Sequence, residues 1–168
     1  MPERVIARPA ICLSMIVRNE AHIVGEVLDA VAPYITSWVI VDTGSDDGTQ
    51  DMIRSHMADL GIRGDLYERP WGNFGHNRSE ALALAQGHGD YILMIDADDL
   101  VVGTPDLARL DADVYQVRYR RSAHGSTFWR RQLFRDGLGW RYEGVVHEYP
   151  ACDLPGEQPN SAPDPGRI

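Results

Sequence analysis

Carboxylate side chains follow two apolar runs of this sequence, and they are the residues best suited to chemistry. Asp96, Asp98 and Asp99 come directly after the apolar run 91–95. Three carboxylates in four positions repel one another unless a positive charge compensates them. Mg²⁺ and Mn²⁺ prefer oxygen ligands and often take one or two carboxylates together with substrate phosphates. The spacing therefore favours a divalent cation at this point, with a solvated acidic turn as the alternative.

A second acidic segment follows an earlier apolar run. Asp42 ends the run 38–41 and is followed by the Gly- and Asp-rich residues 43–49. A carboxylate at the end of a parallel strand can accept hydrogen bonds from a ribose or a base. The segment is not a calcium loop, because its glycine is one position late and Ile53 replaces the bidentate glutamate. It also lacks the Gly-Lys-Ser/Thr of a phosphate loop. An Asp-Gly turn that begins a helix is the alternative.

The hydrophobic pattern predicts alternating strands and helices that position both acidic segments. We expect strands at 10–17, 38–41, 66–69 and 91–95, and helices at 20–32, 49–60 and 76–86. Asn19 is predicted to cap the first helix and Gly61 to end the second. This alternation implies right-handed crossovers and a mainly parallel sheet. Both acidic segments would then reach the carboxyl edge of the sheet, where ligands bind in such folds.

The pattern changes after residue 99. Residues 114–121 and 127–134 are predicted to form an antiparallel hairpin around 124–126. From residue 150 the chain is rich in proline and poor in apolar residues, which predicts a loop or disordered tail.

Composition limits the classes of function. The net charge of −9 argues against nucleic acid as the main partner. No apolar run is long enough for a membrane-spanning helix or a secretory signal, so we expect a cytoplasmic protein. Cys12 is expected in the core. All 16 basic residues are arginines. A coding bias explains this simply, but seven of them crowd one segment where an anion would bind: Arg118, Arg120, Arg121, Arg130, Arg131, Arg135 and Arg141.

Four segments together resemble the family 2 glycosyltransferases of the GT-A fold. They are residues 14–20 (SMIVRNE), 39–49 (VIVDTGSDDGT), 76–81 (HNRSEA) and 89–99 (GDYILMIDADD). The resemblance covers about residues 10–149 and is strongest to a branch with Val-Asp-Thr-Gly-Ser and Val-His-Glu motifs, which often accompanies tetratricopeptide repeats. It implies a three-layer, Rossmann-like α/β fold with a mainly parallel sheet and a C-terminal antiparallel hairpin.

The resemblance also implies an activity and site residues. The activity is sugar transfer from a UDP- or GDP-linked donor, with Mn²⁺ or Mg²⁺, to a glycan, lipid or protein acceptor that the sequence does not identify. Asp98 and His147 would bind the metal. The residues implied at the nucleotide are Val17, Arg18, Glu20, Asp42, Gly44, Arg78, Asp96 and Ala97.

The second half of the chain would supply the acceptor side. The resemblance implies an inverting reaction with Glu148 as the base, and Trp129 and Arg130 at the acceptor. Alternatives are a structural histidine at 147, a simple ion pair between Glu148 and an arginine, and a non-catalytic nucleotide- or glycan-binding module. An aspartyl phosphatase fits poorly, since Asp99 and Leu100 follow Asp98.

The same resemblance suggests how the chain is organised. We expect an arm at 1–9, a nucleotide-sugar-binding half at 10–99, an acceptor-side half at 100–149 and a proline-rich tail at 150–168. Domains of this family usually continue further, which favours a truncated domain or a missing acceptor-binding region.

Overall fold

The computed structural model describes residues 8–99, 101, 103–120, 125–144 and 147–153, and the backbone of 166–167. Three helices are present in this part of the chain: α1 (Val24–Val31), α2 (Thr49–Asp59) and α3 (Phe74–Ala85). The strands are β1 (Ile11–Val17), β2 (Ser37–Asp42), β3 (Gly64–Glu68), β4 (Tyr91–Met94), β5 (Val114–Arg120), β6 (Thr127–Arg135), β7 (Arg141–Glu143), β8 (Tyr149–Ala151) and β9 (Gly166–Arg167).

The main sheet has seven strands in the order β3-β2-β1-β4-β6-β5-β9. The pairs β1–β2, β1–β4 and β2–β3 are parallel, as the alternating pattern predicts. Strand β6 joins β4 and β5 in antiparallel fashion, which confirms the predicted hairpin. The expected turn residue His124 lies outside the described residues. Because Val17 pairs with Asp42 in the parallel register, the ends of β1 and β2 meet at one edge of the sheet.

Two apolar layers cover the sheet and make the fold three-layered. Alternate residues of β1 and β2 point to opposite faces, as the pleat of a strand requires. One face packs against α1 and α2 through residues such as Leu28 and Ile53. The other face, which includes Cys12 of β1, packs against α3 and Trp140, and this confirms the core position of that cysteine. The predicted fold class is therefore confirmed.

The start of the first helix differs from the prediction. Helix α1 begins at Val24 and has no side-chain cap. Asn19 instead has a positive φ of 56°, and its Oδ1 accepts a hydrogen bond from the Asp46 backbone N–H at 2.9 Å. A short polar side chain tolerates this left-handed conformation better than most. Asn19 is therefore used to join two loops, and the prediction that it caps the helix is wrong. Gly61 ends α2 with a φ of 69°, as predicted.

The predicted loop or disordered tail is wrong at two places. Residues Tyr149–Ala151 pair with β7 in a two-stranded antiparallel sheet. Gly166–Arg167 pairs with β5 at the edge of the main sheet. The short strands escaped the sequence pattern because three residues or fewer show no periodicity. In the part of the chain described, no helix has the length and apolar character needed to cross a membrane.

Candidate functional site

Asp42 lies at the carboxyl end of β2 with only 1% of its surface exposed. Its Oδ1 atom accepts hydrogen bonds from the backbone N–H groups of Gly44 (2.9 Å) and Ser45 (2.8 Å) and from Gln50 Nε2 (3.2 Å). Its Oδ2 atom is buried, and no hydrogen-bond donor reaches it within the described residues. Leaving a buried acceptor unsatisfied costs about 1–3 kcal/mol, more for a charged group. This oxygen is therefore suited to an N–H or O–H donor of a ligand.

Asp42 is held in its ionised form. Burial by itself raises the pKa of this carboxyl group, but the hydrogen bonds from Ser45, Gly44 and Gln50 outweigh it and place the pKa below its ordinary value. Hydrogen bonds to the charged form act in this direction. At neutral pH Asp42 thus carries a negative charge at the carboxyl end of β2.

An open cavity of about 290 Å³ lies beside Asp42. It occupies the edge of the sheet where β2 and β3 end, the position at which ligands bind in open parallel sheets. Its walls are formed by Asp42, Thr43, Gly44, Glu68, Arg69 and Pro70.

The Gly-rich loop after β2 is tied to the loop after β1. Ser45 Oγ accepts from the Asn19 N–H at 2.8 Å, and Thr49 Oγ1 accepts from the Glu20 N–H at 2.9 Å. Gly44 has a φ of 109°, a conformation that side-chain-bearing residues rarely adopt. The contacts bring the predicted residues Glu20 and Gly44 to the same edge as Asp42.

The neighbouring predicted residues differ in accessibility. Arg18 is exposed at this edge, whereas the side chain of Val17 is buried in the core. The Val17 carbonyl oxygen accepts hydrogen bonds from the N–H and Oγ1 of Thr43. The structure thus assigns the side chain of Val17 to packing.

Residues 96–99, the acidic turn, close on themselves after β4. The Asp99 N–H donates to the Asp96 carbonyl at 3.1 Å, and the Asp96 N–H donates to Asp99 Oδ2 at 3.0 Å. Between them Ala97 is buried with 4% exposure, and Asp98 is exposed. This geometry directs Asp98 outward and leaves Asp96 to a protein partner.

The partner of Asp96 is Arg78 on α3. Arg78 Nη2 lies 2.7 Å and 3.0 Å from the two carboxylate oxygens of Asp96, and Nη1 lies 2.6 Å from Glu148 Oε1. The guanidinium is also within 5.2 Å of the Phe74 ring centroid and 5.8 Å of the Tyr142 ring centroid. Only 8% of the Arg78 side chain is exposed. One buried cation therefore joins the acidic turn to the segment that contains Glu148.

The guanidinium of Arg78 stays charged despite its burial. Burial alone lowers the pKa of Arg78, but the negative charges of Asp96 and Glu148 outweigh it, so the pKa rises. The sequence alternative in which Glu148 pairs with an arginine is thus observed. The predicted contact of Arg78 with a nucleotide stays a prediction, since its guanidinium is directed at two carboxylates.

The side chains around Asp98 include possible ligands for the predicted metal ion. Burial raises the pKa of Glu20, and the negative charge of Asp98 raises it further, so the carboxylates of Glu20 and Asp98 lie close enough to interact. His147 is exposed. Among the described residues, no three His, Cys, Asp or Glu side chains are grouped to hold a metal. The exposed carboxylate of Asp98 would be one protein ligand of a divalent cation, and substrate phosphates would supply others, a mode that Mg²⁺ commonly adopts.

In the part of the chain that the structure describes, three of the seven arginines in the arginine-rich segment form ion pairs with carboxylates of the protein. Arg130 approaches Asp96 at 3.6 Å, Arg135 pairs with Asp113, and Arg141 pairs with Glu143 and Asp153. Arg121 lies outside the described residues. Trp129, predicted at the acceptor, is 38% exposed on β6. The structure brings Arg130 to the acidic turn, and Trp129 is one position away along the strand.

Sequence reasoning missed Tyr119, Gln132 and Tyr142. Tyr119 donates a hydrogen bond to Asp99, and Gln132 donates one to Tyr119. Burial raises the pKa of Tyr142, which packs beside Arg78, to about 12. The missed residues lie within strands or between distant segments, so no strand-end or motif signal marked them.

Comparison with known proteins agrees with this geometry. The family model described as glycosyl transferase family 2 matches residues 12–154. A TPR repeat-containing protein of Synechococcus elongatus is 30% identical over 151 residues, which is 84% of this chain and 36% of that protein. The SPbeta prophage-derived glycosyltransferase SunS of Bacillus subtilis is 26% identical over 155 residues, 84% of this chain and 35% of SunS. The chain thus spans about a third of the length of these relatives.

A solved structure shares the fold. The mannosyltransferase PcManGT from Pyrobaculum calidifontis, in complex with GDP-Man and Mn²⁺, superposes with a TM-score of 0.57 and 26% identity. The match covers 68% of this chain and 36% of that one. Because the family model matches most of its length, this chain belongs to glycosyl transferase family 2.

Proposed function

We propose that this protein transfers a sugar from a nucleotide-diphosphate donor to an acceptor, with the help of Mn²⁺ or Mg²⁺. The observation that supports this most is the buried Oδ2 of Asp42, which has no hydrogen-bond partner among the described residues, in a residue that lines an open cavity at the sheet edge. A base or ribose supplies the missing hydrogen-bond donor, and a diphosphate extends from it toward Asp98. The likeness to PcManGT, which is in complex with GDP-Man and Mn²⁺, supports a donor of this class.

Different residues along the sheet edge would bind different parts of the donor. Asp42 and the loop of Gly44 would bind the nucleoside, and Glu20 and Arg18 would border it. Asp98 would hold the cation, with His147 as a further ligand. Such a cation neutralises the charge on the departing diphosphate. Asp96 and Ala97 would line the base of the nucleotide site, where the ion pair with Arg78 holds Asp96 in place.

The direct test is calorimetry with UDP and GDP, each with and without Mn²⁺. We expect at least one of them to bind, and to bind more tightly with Mn²⁺. The absence of metal-dependent binding of either nucleoside diphosphate would contradict the proposal.

Asp42→Asn tests the contact at the unpaired oxygen. The amide oxygen must keep the position of Oδ1, because three donors already point at it. The amide NH₂ then replaces Oδ2, which has no hydrogen-bond partner within the described part of the chain, and faces the N–H or O–H group of the ligand. We expect the fold to be retained and nucleoside diphosphate binding to weaken roughly tenfold or more, as for one lost charged hydrogen bond. Asp65→Asn, on the exposed edge strand β3, is the control and should bind as the wild type does.

Glu148→Gln tests the base. The glutamine can still accept the hydrogen bond from Arg78 Nη1, but it cannot take a proton from the acceptor hydroxyl. Turnover, measured as released nucleoside diphosphate, should fall by roughly 10²- to 10⁴-fold while nucleoside diphosphate binding is kept. Glu143→Gln is the matched control, because Glu143 also pairs with an arginine but lies on β7. If Glu148→Gln turned over the donor as fast as the wild type, another residue would have to act as the base.

A non-catalytic binding module is the second candidate. The pairing of Glu148 with the buried Arg78 favours it, since a carboxylate used only to hold a cation has no catalytic role. Nucleoside diphosphate binding without any donor turnover would support this candidate. Turnover that is lost in Asp98→Ala would exclude it.

A further inference from the structure

Tyr119 of β5 connects the predicted acceptor-side hairpin to the acidic turn. Its hydroxyl donates a 2.7 Å hydrogen bond to Asp99 Oδ2 and accepts a 2.8 Å hydrogen bond from Gln132 Nε2. A tyrosine hydroxyl has one proton, so the bond from Gln132 directs that proton to Asp99. Gln132 is itself buried, with 2% exposure. The direction of the contact is therefore fixed by the fold.

Asp99 Oδ2 accepts a hydrogen bond from the Asp96 N–H as well as the one from Tyr119. The same oxygen accepts the Asp96 N–H at 3.0 Å, and the Asp99 N–H returns a hydrogen bond to the Asp96 carbonyl. These two bonds close the turn and leave Ala97 and Asp98 at its centre. A side chain that anchors Asp99 thus also determines where Asp98 points.

The ring of Tyr119 supports a second contact with the turn. The guanidinium of Arg130 lies 5.0 Å from the ring centroid, within the range of a cation–π interaction. Arg130 Nη1 in turn approaches Asp96 Oδ2 at 3.6 Å. Phe128 stacks on the same ring at 5.7 Å. Both the hydroxyl and the ring of Tyr119 therefore act on the acidic turn, through different residues.

We propose that Tyr119 is a positioning residue that holds the acidic turn in the conformation that presents Asp98 to a metal-bound diphosphate. This inference rests on the proposed function. Tyr119 acts through Asp99 and Arg130 and contacts neither donor nor metal.

The experiment compares two tyrosines of the same strand. Tyr119→Phe removes only the hydroxyl and keeps the ring. Tyr115→Phe is the control: its buried hydroxyl also bonds a carboxylate, Asp111 at 3.0 Å, but this carboxylate lies outside the acidic turn. The probes are UDP and GDP, titrated with and without Mn²⁺ into each folded variant, and thermal melting checks the fold.

We expect Tyr119→Phe to weaken the Mn²⁺-dependent binding of the nucleoside diphosphate about tenfold, the effect of one charged hydrogen bond. Binding without Mn²⁺ should be unchanged, and Tyr115→Phe should match the wild type in both. If Tyr119 only stabilised the fold, its loss would weaken nucleoside diphosphate binding equally with and without Mn²⁺. Gln132→Leu added to Tyr119→Phe should weaken binding no further, because Tyr119→Phe already removes the hydrogen bond that Gln132 donates.

The contrary outcomes are distinct. Equal binding by Tyr119→Phe and the wild type overturns the positioning role and leaves the proposed function intact. Equal weakening in Tyr119→Phe and Tyr115→Phe also overturns it, since a general loss of stability then explains both. A wild-type protein without Mn²⁺-dependent binding overturns the proposed function together with this inference.

Discussion

Asp98→Ala is expected to remove Mn²⁺-dependent binding of the nucleoside diphosphate and to lower donor turnover by roughly 10²- to 10³-fold. The magnitude is that of losing one group that stabilises charge developing in a transition state. Asp98 is exposed at the centre of a closed turn, so its removal leaves the hydrogen bonds between Asp96 and Asp99 intact. The melting temperature should therefore change little. Calorimetry with UDP or GDP and a nucleoside diphosphate release assay measure the two effects.

Two controls sharpen this prediction. Asp98→Asn keeps an oxygen ligand but loses the charge, so it should lie between the wild type and Asp98→Ala. Asp65→Ala removes the same carboxylate from an exposed position on β3 and should behave as the wild type does. If Asp98→Ala kept metal-dependent binding, the cation would have to be held by other residues.

Arg78→Met is expected to produce the largest loss of stability, about 3 kcal/mol in the free energy of unfolding. Removing one partner of a buried ion pair costs about 3–5 kcal/mol, because the other charge is left uncompensated. We expect the lower end of this energy range because the side chains of Asp96 and Glu148 are 26% and 20% exposed, so water still solvates them in part. For a chain of this size the melting temperature should fall by roughly 6–12 °C. Turnover should fall as well, because the acidic turn and Glu148 both lose their anchor.

The matched comparison is Arg54→Met. Arg54 forms an exposed ion pair with Asp51 at 3.6 Å on α2, and such pairs contribute about 0–1 kcal/mol. Arg78→Lys keeps the charge but has no planar fork to reach both carboxylates, so it should restore only part of the stability. If Arg78→Met melted like Arg54→Met, the buried cluster would contribute little to the fold.

The strand ends at Asp42 and Asp96 were predictable from the sequence because strands have a local signature. Four or five consecutive apolar residues mark a strand buried on both faces, and the first carboxylate after them marks its end. In a parallel sheet all such ends lie at one edge. The sequence thus located the edge of the candidate site without any knowledge of side-chain contacts. It also indicated the antiparallel pairing of β5 and β6, because both segments are rich in residues that favour strands.

The start of α1 and the short strands β7 and β8 were not predictable in the same way. Asn19 satisfies the rule for a helix cap, yet its side chain bonds the Asp46 N–H of a neighbouring loop. A local rule cannot choose between two acceptable partners when the second one lies 27 residues away in the chain. Strand β8 depends on pairing with β7, and neither segment has a periodicity of its own.

The sequence by itself determined the order of the elements, the edge of the sheet that holds the acidic residues and the family resemblance. Only the tertiary structure decided which side chains meet: Arg78 binds both Asp96 and Glu148, which lies 70 residues away, and Tyr119 of β5 bonds Asp99 of the acidic turn. The reason is that periodicity and strand ends follow from neighbours along the chain. The buried ion pairs of Arg78 depend on how α3, the acidic turn and the segment that contains Glu148 pack together, and that packing forms only with the whole core.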